Sequence, residues 1–285
     1  MAPVAARAHG AMTRLFVFGS GSKGNAFAVD TPDGALVVDA GFGVKAFRKR
    51  AERAGLDCGR IRGIAITHEH GDHAGGALAM AREFEVPVVC SWGTWTALGA
   101  PADVTFTRVK PARPAPFAGF MLHTMVTTHD AREPLAIAVE TSQGLRIAFA
   151  MDLGRSTHGL RWLLSGAHAV ILESNYDDVM LRTGRYPPSV QQRIAGSGGH
   201  LSNRTAAEVL SNAIHKALEV VVLAHLSQEC NSPSCARETV EPALKRRGFK
   251  GRLFVASQDE PLEAIPLNTP AAAEQGELSL DWLAR

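Results

Sequence analysis

The run Thr67-His68-Glu69-His70-Gly71-Asp72-His73-Ala74-Gly75-Gly76 constrains this chain more than any other stretch. Three histidines and an aspartate crowd together directly after an apolar run over 61–67 and before an alanine-rich helical pattern. Buried without compensation, such groups would repel one another and lose hydration at a cost. A strand–loop–helix unit that holds the loop rigid at both ends, with a cation to share, resolves the conflict. In locally extended backbone His68 and His70 project the same way, because side chains alternate with period two, so they can share one ion. Asp72 and His73 are neighbours and must diverge from that pair. They suit a second ion a few ångströms away, as two-metal hydrolytic sites require. Imidazole and carboxylate together favour Zn²⁺ or Mn²⁺.

Elsewhere short apolar runs alternate with helical patterns, the rhythm of an α/β fold. Strands are expected at 15–18, 26–29 and 35–38, an opening that reads as a β-meander, and later at 61–67, 120–128, 135–140, 145–151, 168–172 and 219–224. A helix is expected over 204–218, where Ala207, Leu210, Ile214 and Leu218 recur at spacings of three and four, with Ser202 as its N-cap. With 285 residues, 46% of them hydrophobic, the chain can bury a sizeable core. Neither a repeat nor a low-complexity linker divides it. We expect a leader over 1–12 without fixed structure, one domain over 13–262 and a loose C-terminal arm over 263–285. The formal net charge of +2 means that affinity for a polyanion must come from a local basic patch. Four cysteines are too few for a disulfide scaffold, and no signal peptide or membrane span is legible, so a cytoplasmic, membrane-free location is expected.

The pattern His68-x-His70-x-Asp72-His73 resembles the signature of the metallo-β-lactamase superfamily, which implies a four-layer αββα sandwich. Its further ligands sit at strand ends, and His129, Asp152 and His225 each follow an apolar run here. By resemblance, His68, His70 and His129 hold one ion, Asp72, His73 and His225 the other, and Asp152 bridges them. Asp39, ending Leu36-Val37-Val38, matches the family's buried aspartate that steadies the histidine loop.

Three further stretches narrow the resemblance: Gly19-Ser20-Gly21-Ser22-Lys23-Gly24-Asn25, Leu172-Glu173-Ser174-Asn175-Tyr176-Asp177, and Gly199-His200-Leu201-Ser202-Asn203 taken with Ala224-His225-Leu226-Ser227. They are similar to the YycJ/WalJ group of bacterial metal-dependent exonucleases, although Cys230 departs from its pattern, which more often has Asn there. That resemblance implies a 5′→3′ exodeoxyribonuclease with two divalent ions, often assigned Mn²⁺, and a hydroxide held between them as nucleophile. Asp72, Asp152 and His200 are the expected catalytic residues, and His200, Ser202 and Asn175 the expected substrate contacts. His200 precedes a helix, where an imidazole and backbone N–H groups can receive an anion. The gap between Asp152 and His225 is too short for the large insertion of the RNase J type. DNA is expected as substrate ahead of RNA, with Lys23, Arg182, Arg185, Arg193 and Arg204 as candidate backbone contacts and Tyr176 and Tyr186 as candidate stacking partners. The same residues also suit a small-molecule cyclic phosphodiesterase or, from another class, a non-catalytic nucleic-acid-binding module. The residues leave the oligomeric state open.

Overall fold

The computed structural model describes residues 12–268. Two seven-stranded sheets stack face to face. The first takes β1 (Arg14–Gly19), β2 (Ala26–Thr31), β3 (Gly34–Val38), β4 (Ile61–Ala65), β5 (Val88–Cys90) and β6 (Phe106–Arg108) in order. The second runs through β7 (Ala115–Phe117), β8 (Phe120–Val126), β9 (Leu135–Thr141), β10 (Arg146–Ala150), β11 (Ala169–Glu173), β12 (Val220–Ala224) and β13 (Arg252–Val255). A last strand, β14 (Ile265–Pro266), returns to the first sheet beside β1. In each sheet an antiparallel set gives way to parallel strands, at β3 with β4 and at β10 with β11.

Alternation along the strands builds the layers. Leu15 and Val17 face the second sheet and meet Ile137, Phe149 and Val222 in the central core. Phe16 and Phe18 face the other way and meet Phe47 of α1 (Val44–Ala54) and Met80 of α3 (Ala77–Phe84). The outer face of the second sheet is covered by α5 (His158–Leu164), α8 (Asn203–Ala213) and α9 (Pro233–Arg246). Strands buried on both faces read as unbroken apolar runs, as in Val220-Val221-Val222-Leu223-Ala224. The result is the expected four-layer αββα sandwich. Among the described residues no helix is long and apolar enough to cross a membrane.

Two expected boundaries move. The 204–218 helix stops at Ala213: Ile214 turns extended, and the His215 ring takes the Ala167 carbonyl (3.0 Å) and the Ala217 N–H (3.2 Å), steering the chain into β12. Leu218 is buried by that turn instead of by the helix. The arm expected from 263 begins as sheet, since β14 pairs with β1 and buries Ile265 and Leu267 in the core. The rest of that arm and nearly all of the leader lie outside the described residues.

Candidate metal centre and cleft

Parallel strands deliver side chains at their carboxyl ends, the usual address of a site in such sheets. Asp39 follows β3, the histidine loop follows β4, Asp152 follows β10 and His225 follows β12; His129 follows β8 at the same edge. Three of these residues have left-handed backbone, Asp39 at φ 59°, Asp152 at 54° and His225 at 54°. Non-glycine residues seldom adopt it, and holding three such turns together stores strain that the packed strands beneath must offset.

A cradle made by the 39–42 segment holds the histidine loop. Ala40 N–H donates to the His73 carbonyl (2.6 Å), Gly76 N–H to the Ala40 carbonyl (2.7 Å) and Asn25 N–H to the Asp72 carbonyl (2.7 Å). Gly41 passes so close that a Cβ there would lie 1.9 Å from the Asp72 carbonyl oxygen. His70 caps α2 (Gly71–Ala74), which carries Asp72 and His73.

The loop and the strand ends together place the donor atoms in sets whose members all lie within 4.8 Å of one another: His68 with His70 and His129, and Asp72 with His73 and His225. They coincide with the two triads that the family resemblance implies, and two further sets are equally compact, His68 with His73 and Asp152, and Asp152 with Glu173, His200 and His225. Asp152 stands between the two triads, its Oδ2 2.7 Å from His73 Nε2 and 3.5 Å from His68 Nε2, its Oδ1 3.4 Å from His225 Nδ1 and 3.8 Å from His129 Nε2. Yet His68 Nε2 and Asp152 Oδ2 are both buried and without a hydrogen bond. Two buried polar atoms without a hydrogen bond, 3.5 Å apart, are costly unless a cation lies between them, and imidazole with carboxylate is the donor chemistry of a divalent ion. The residues therefore fit the metal ions that the donor pattern calls for.

Outer partners fix the rings. Asp39 Oδ2 lies 2.7 Å from His73 Nδ1 and Oδ1 accepts from Thr67 N–H (2.8 Å), tying the ring to the loop's first residue. The Gly198 carbonyl stands 3.0 Å from His129 Nδ1. Glu173 was not singled out in the sequence reading as a site residue. It is fully buried; its Oε1 lies 2.6 Å from His200 Nδ1 and 3.3 Å from His225 Nδ1, and its Oε2 accepts from Leu153 and Leu201 N–H. A carboxylate closing an apolar strand, as at Asp39 and Asp152, was the signal available for it.

Charge is balanced by protons when no metal is bound. Burial disfavours the His73 imidazolium, but Asp152 and Asp39 outweigh it and raise its pKa to about 10. Burial likewise opposes the His200 cation, and Glu173 and Asp152 raise it to about 9. His68 goes the other way: burial, then the neighbouring His73 charge, push it well below its ordinary value and leave its lone pair free. Burial would raise Asp152, yet the charges of His225 and His73 hold it well below the usual carboxylate range.

An open cleft of about 430 Å³ lies over this cluster, bordered by His70, Asp72, His129, Asp152, His200 and His225 and, farther out, by Asn175, Tyr186 and Arg193. His200 thus reaches the cleft. Ser202, expected to touch substrate, is not among the bordering residues: its Oγ accepts the Thr205 N–H as the N-cap of α8. Asn175 borders the cleft but gives its amide to the His225 carbonyl (2.8 Å), bracing that strand end. Of the five basic candidates only Arg193 borders the cleft; Arg204 lines a separate groove between α8 and α9. Tyr186 is at the rim, whereas Tyr176 packs with Leu181 and Cys230 in a small buried cluster.

Over residues 19–181 the sequence matches the family described as the metallo-beta-lactamase superfamily. The chain belongs to that family and is a metal-dependent hydrolase. It is 34% identical over 251 residues to the exodeoxyribonuclease YycJ of Bacillus anthracis, covering 86% of this chain and 94% of that one. It is 27% identical over 258 residues to the exodeoxyribonuclease WalJ of Streptococcus pneumoniae, covering 88% and 96%. The metallo-beta-lactamase fold protein YhfI of Bacillus subtilis shares the fold at a TM-score of 0.67 and 14% identity, covering 89% of this chain and 99% of that one.

Proposed function

We propose that the chain is a two-metal phosphodiesterase acting on nucleic acid, as a 5′→3′ exodeoxyribonuclease. The observation that carries this reading is the meeting of two triads on one shared carboxylate, Asp152, beneath an open cleft. The names of the similar YycJ and WalJ proteins support DNA as the substrate.

In this proposal His68, His70 and His129 would hold one divalent ion, Mn²⁺ or Zn²⁺, Asp72, His73 and His225 would hold the second, and Asp152 would serve both. Such a pair supplies a water acidic enough to attack phosphorus at neutral pH and positive charge for the developing oxyanion. The chain does the positioning. Asp39 keeps the His73 ring turned so that Nε2 faces the centre. Glu173 grips His200 and His225 together, so the two rings cannot swing apart. His200, at the cleft wall, either grips the phosphate or protonates the leaving oxygen, and Arg193 at the rim meets the backbone charge. Asn175 takes part as the brace of the His225 turn.

Metal analysis of the purified protein beside digestion of 5′- and 3′-labelled DNA tests the reading. About two ions per chain and label lost first from the 5′ end are expected. Full turnover without metal overturns the mechanism, and label lost first from the 3′ end overturns the polarity.

A further inference from the structure

Trp92 opens α4 (Trp92–Ala97) with 49% of its surface exposed, an uncommon state for so large an apolar side chain. The indole is nonetheless held in place. Phe106 on β6 stands 6.1 Å from it and is itself stacked on buried Trp95, at 4.6 Å and 2°. The Arg108 guanidinium sits over the Trp92 ring, 5.7 Å from its centroid. A rigid indole with a cation beside it and half its surface in water is the arrangement by which proteins hold unpaired bases, since every base offers a π-face and the cation faces the phosphates.

Its place in the fold connects it to the cleft. Because β5 lies parallel to β4, α4 starts at the same sheet edge as the histidine loop. The segment 127–134, which carries His129 and Asp130 to the cleft wall, is clamped between the two. On one side Ser91 Oγ donates to the Glu133 carbonyl (2.9 Å) and Gly93 N–H to Glu133 Oε2 (2.8 Å). On the other side Arg132 N–H donates to Glu69 Oε1 (2.7 Å). Trp92 is therefore joined to the cleft wall at His70 and Asp130 by a single fixed loop.

We propose that Trp92, flanked by Arg108, is a base-stacking platform for single-stranded nucleic acid outside the catalytic cleft. The proposal rests on the nucleic-acid reading of the site. It assigns the platform to unpaired substrate beyond the nucleotide being cut, with little preference among bases because stacking reads no base edge.

Anisotropy of a fluorescent oligothymidine, measured with the full-length protein in excess chelator so that nothing is cut, tests it. Trp92→Ala should weaken binding about ten-fold or more, since stacking of one base is worth that much. Trp92→Phe should recover most of the loss, and an oligomer with abasic sites along its length should bind wild type and Trp92→Ala alike. Metal-loaded Trp92→Ala should hydrolyse thymidine 5′-(4-nitrophenyl phosphate) at the wild-type rate, which also shows that the variant folds. Equal affinity of wild type and Trp92→Ala for oligothymidine, with wild type cutting it normally, overturns the platform alone. Wild type that neither binds nor cuts the oligomer, yet hydrolyses the nitrophenyl ester, overturns the nucleic-acid reading and the platform with it. A loss that persists on the abasic oligomer overturns stacking as the cause.

Discussion

At Asp152 the backbone stands at φ 54°, and the buried Oδ2 makes no hydrogen bond although it lies 2.7 Å from His73 Nε2. Its charge pairs lie within the site and not in the hydrophobic core, so removing the side chain should cost the metal-free protein some stability, leave the fold in place and destroy the centre. Asp152→Ala is expected to abolish hydrolysis and lower metal content while the unfolding transition stays cooperative; full turnover in that variant would sink the assignment. Asp39 acts one step away. Asp39→Asn leaves the ring of His73 without its carboxylate and should weaken metal affinity about 10- to 100-fold, read by chelator competition. His200 separates two roles by substrate. If it protonates the leaving oxygen, His200→Ala should slow cleavage of DNA by about 10²–10⁴ and spare a nitrophenyl ester, which needs little protonation. Should it only grip phosphate, both substrates suffer alike, and unaltered cleavage of both would remove it from the mechanism.

At the level of elements, the strand–loop–helix unit was legible because its two periods meet at a cluster of polar residues with no place in either pattern. Its partners were less so. Within the 39–42 cradle only Asp39 carries a signal in sequence, yet Ala40 fixes the loop through two backbone hydrogen bonds, with His73 and Gly76, and Asn25 adds a third. Gly41→Ala would set a methyl group 1.9 Å from the Asp72 carbonyl oxygen, an overlap with backbone that cannot swing away. A loss on the order of 2–4 kcal/mol is expected, together with weakened metal binding, both visible in melts with and without added metal. A melting temperature equal to wild type would show the cradle to be adaptable. Ser202 teaches the converse. Its N-cap position follows from local pattern, and there its Oγ accepts the Thr205 N–H while the residue lies off the cleft lining.

Across the whole molecule, the protons that balance the metal-free centre link stability to pH. His73 and His200 have folded pKa values of about 10 and about 9, above the ordinary 6.5. Their stabilisation of the metal-free protein is therefore fully present below about 6.5 and lost as pH rises through 9 and 10. The apo protein should melt progressively lower over that interval, while metal binding near neutral pH should release protons, measurable as buffer-dependent binding heat. An apo melting temperature that is flat or rises over that interval contradicts the charge assignment. The sandwich, the histidine loop and the acids and histidines that end apolar strands were legible in the sequence, because strand alternation and motif spacing are local properties written in consecutive residues; the grouping of seven donors into two triads was what the family resemblance implied. Only the tertiary structure decided that Glu173 joins His200 to His225, that Ser202 does not border the cleft, that Arg204 sits in another groove, and that Trp92 shares an edge with the centre. Those relations depend on which strands are neighbours, which is set by the packing of two sheets and not by any one segment.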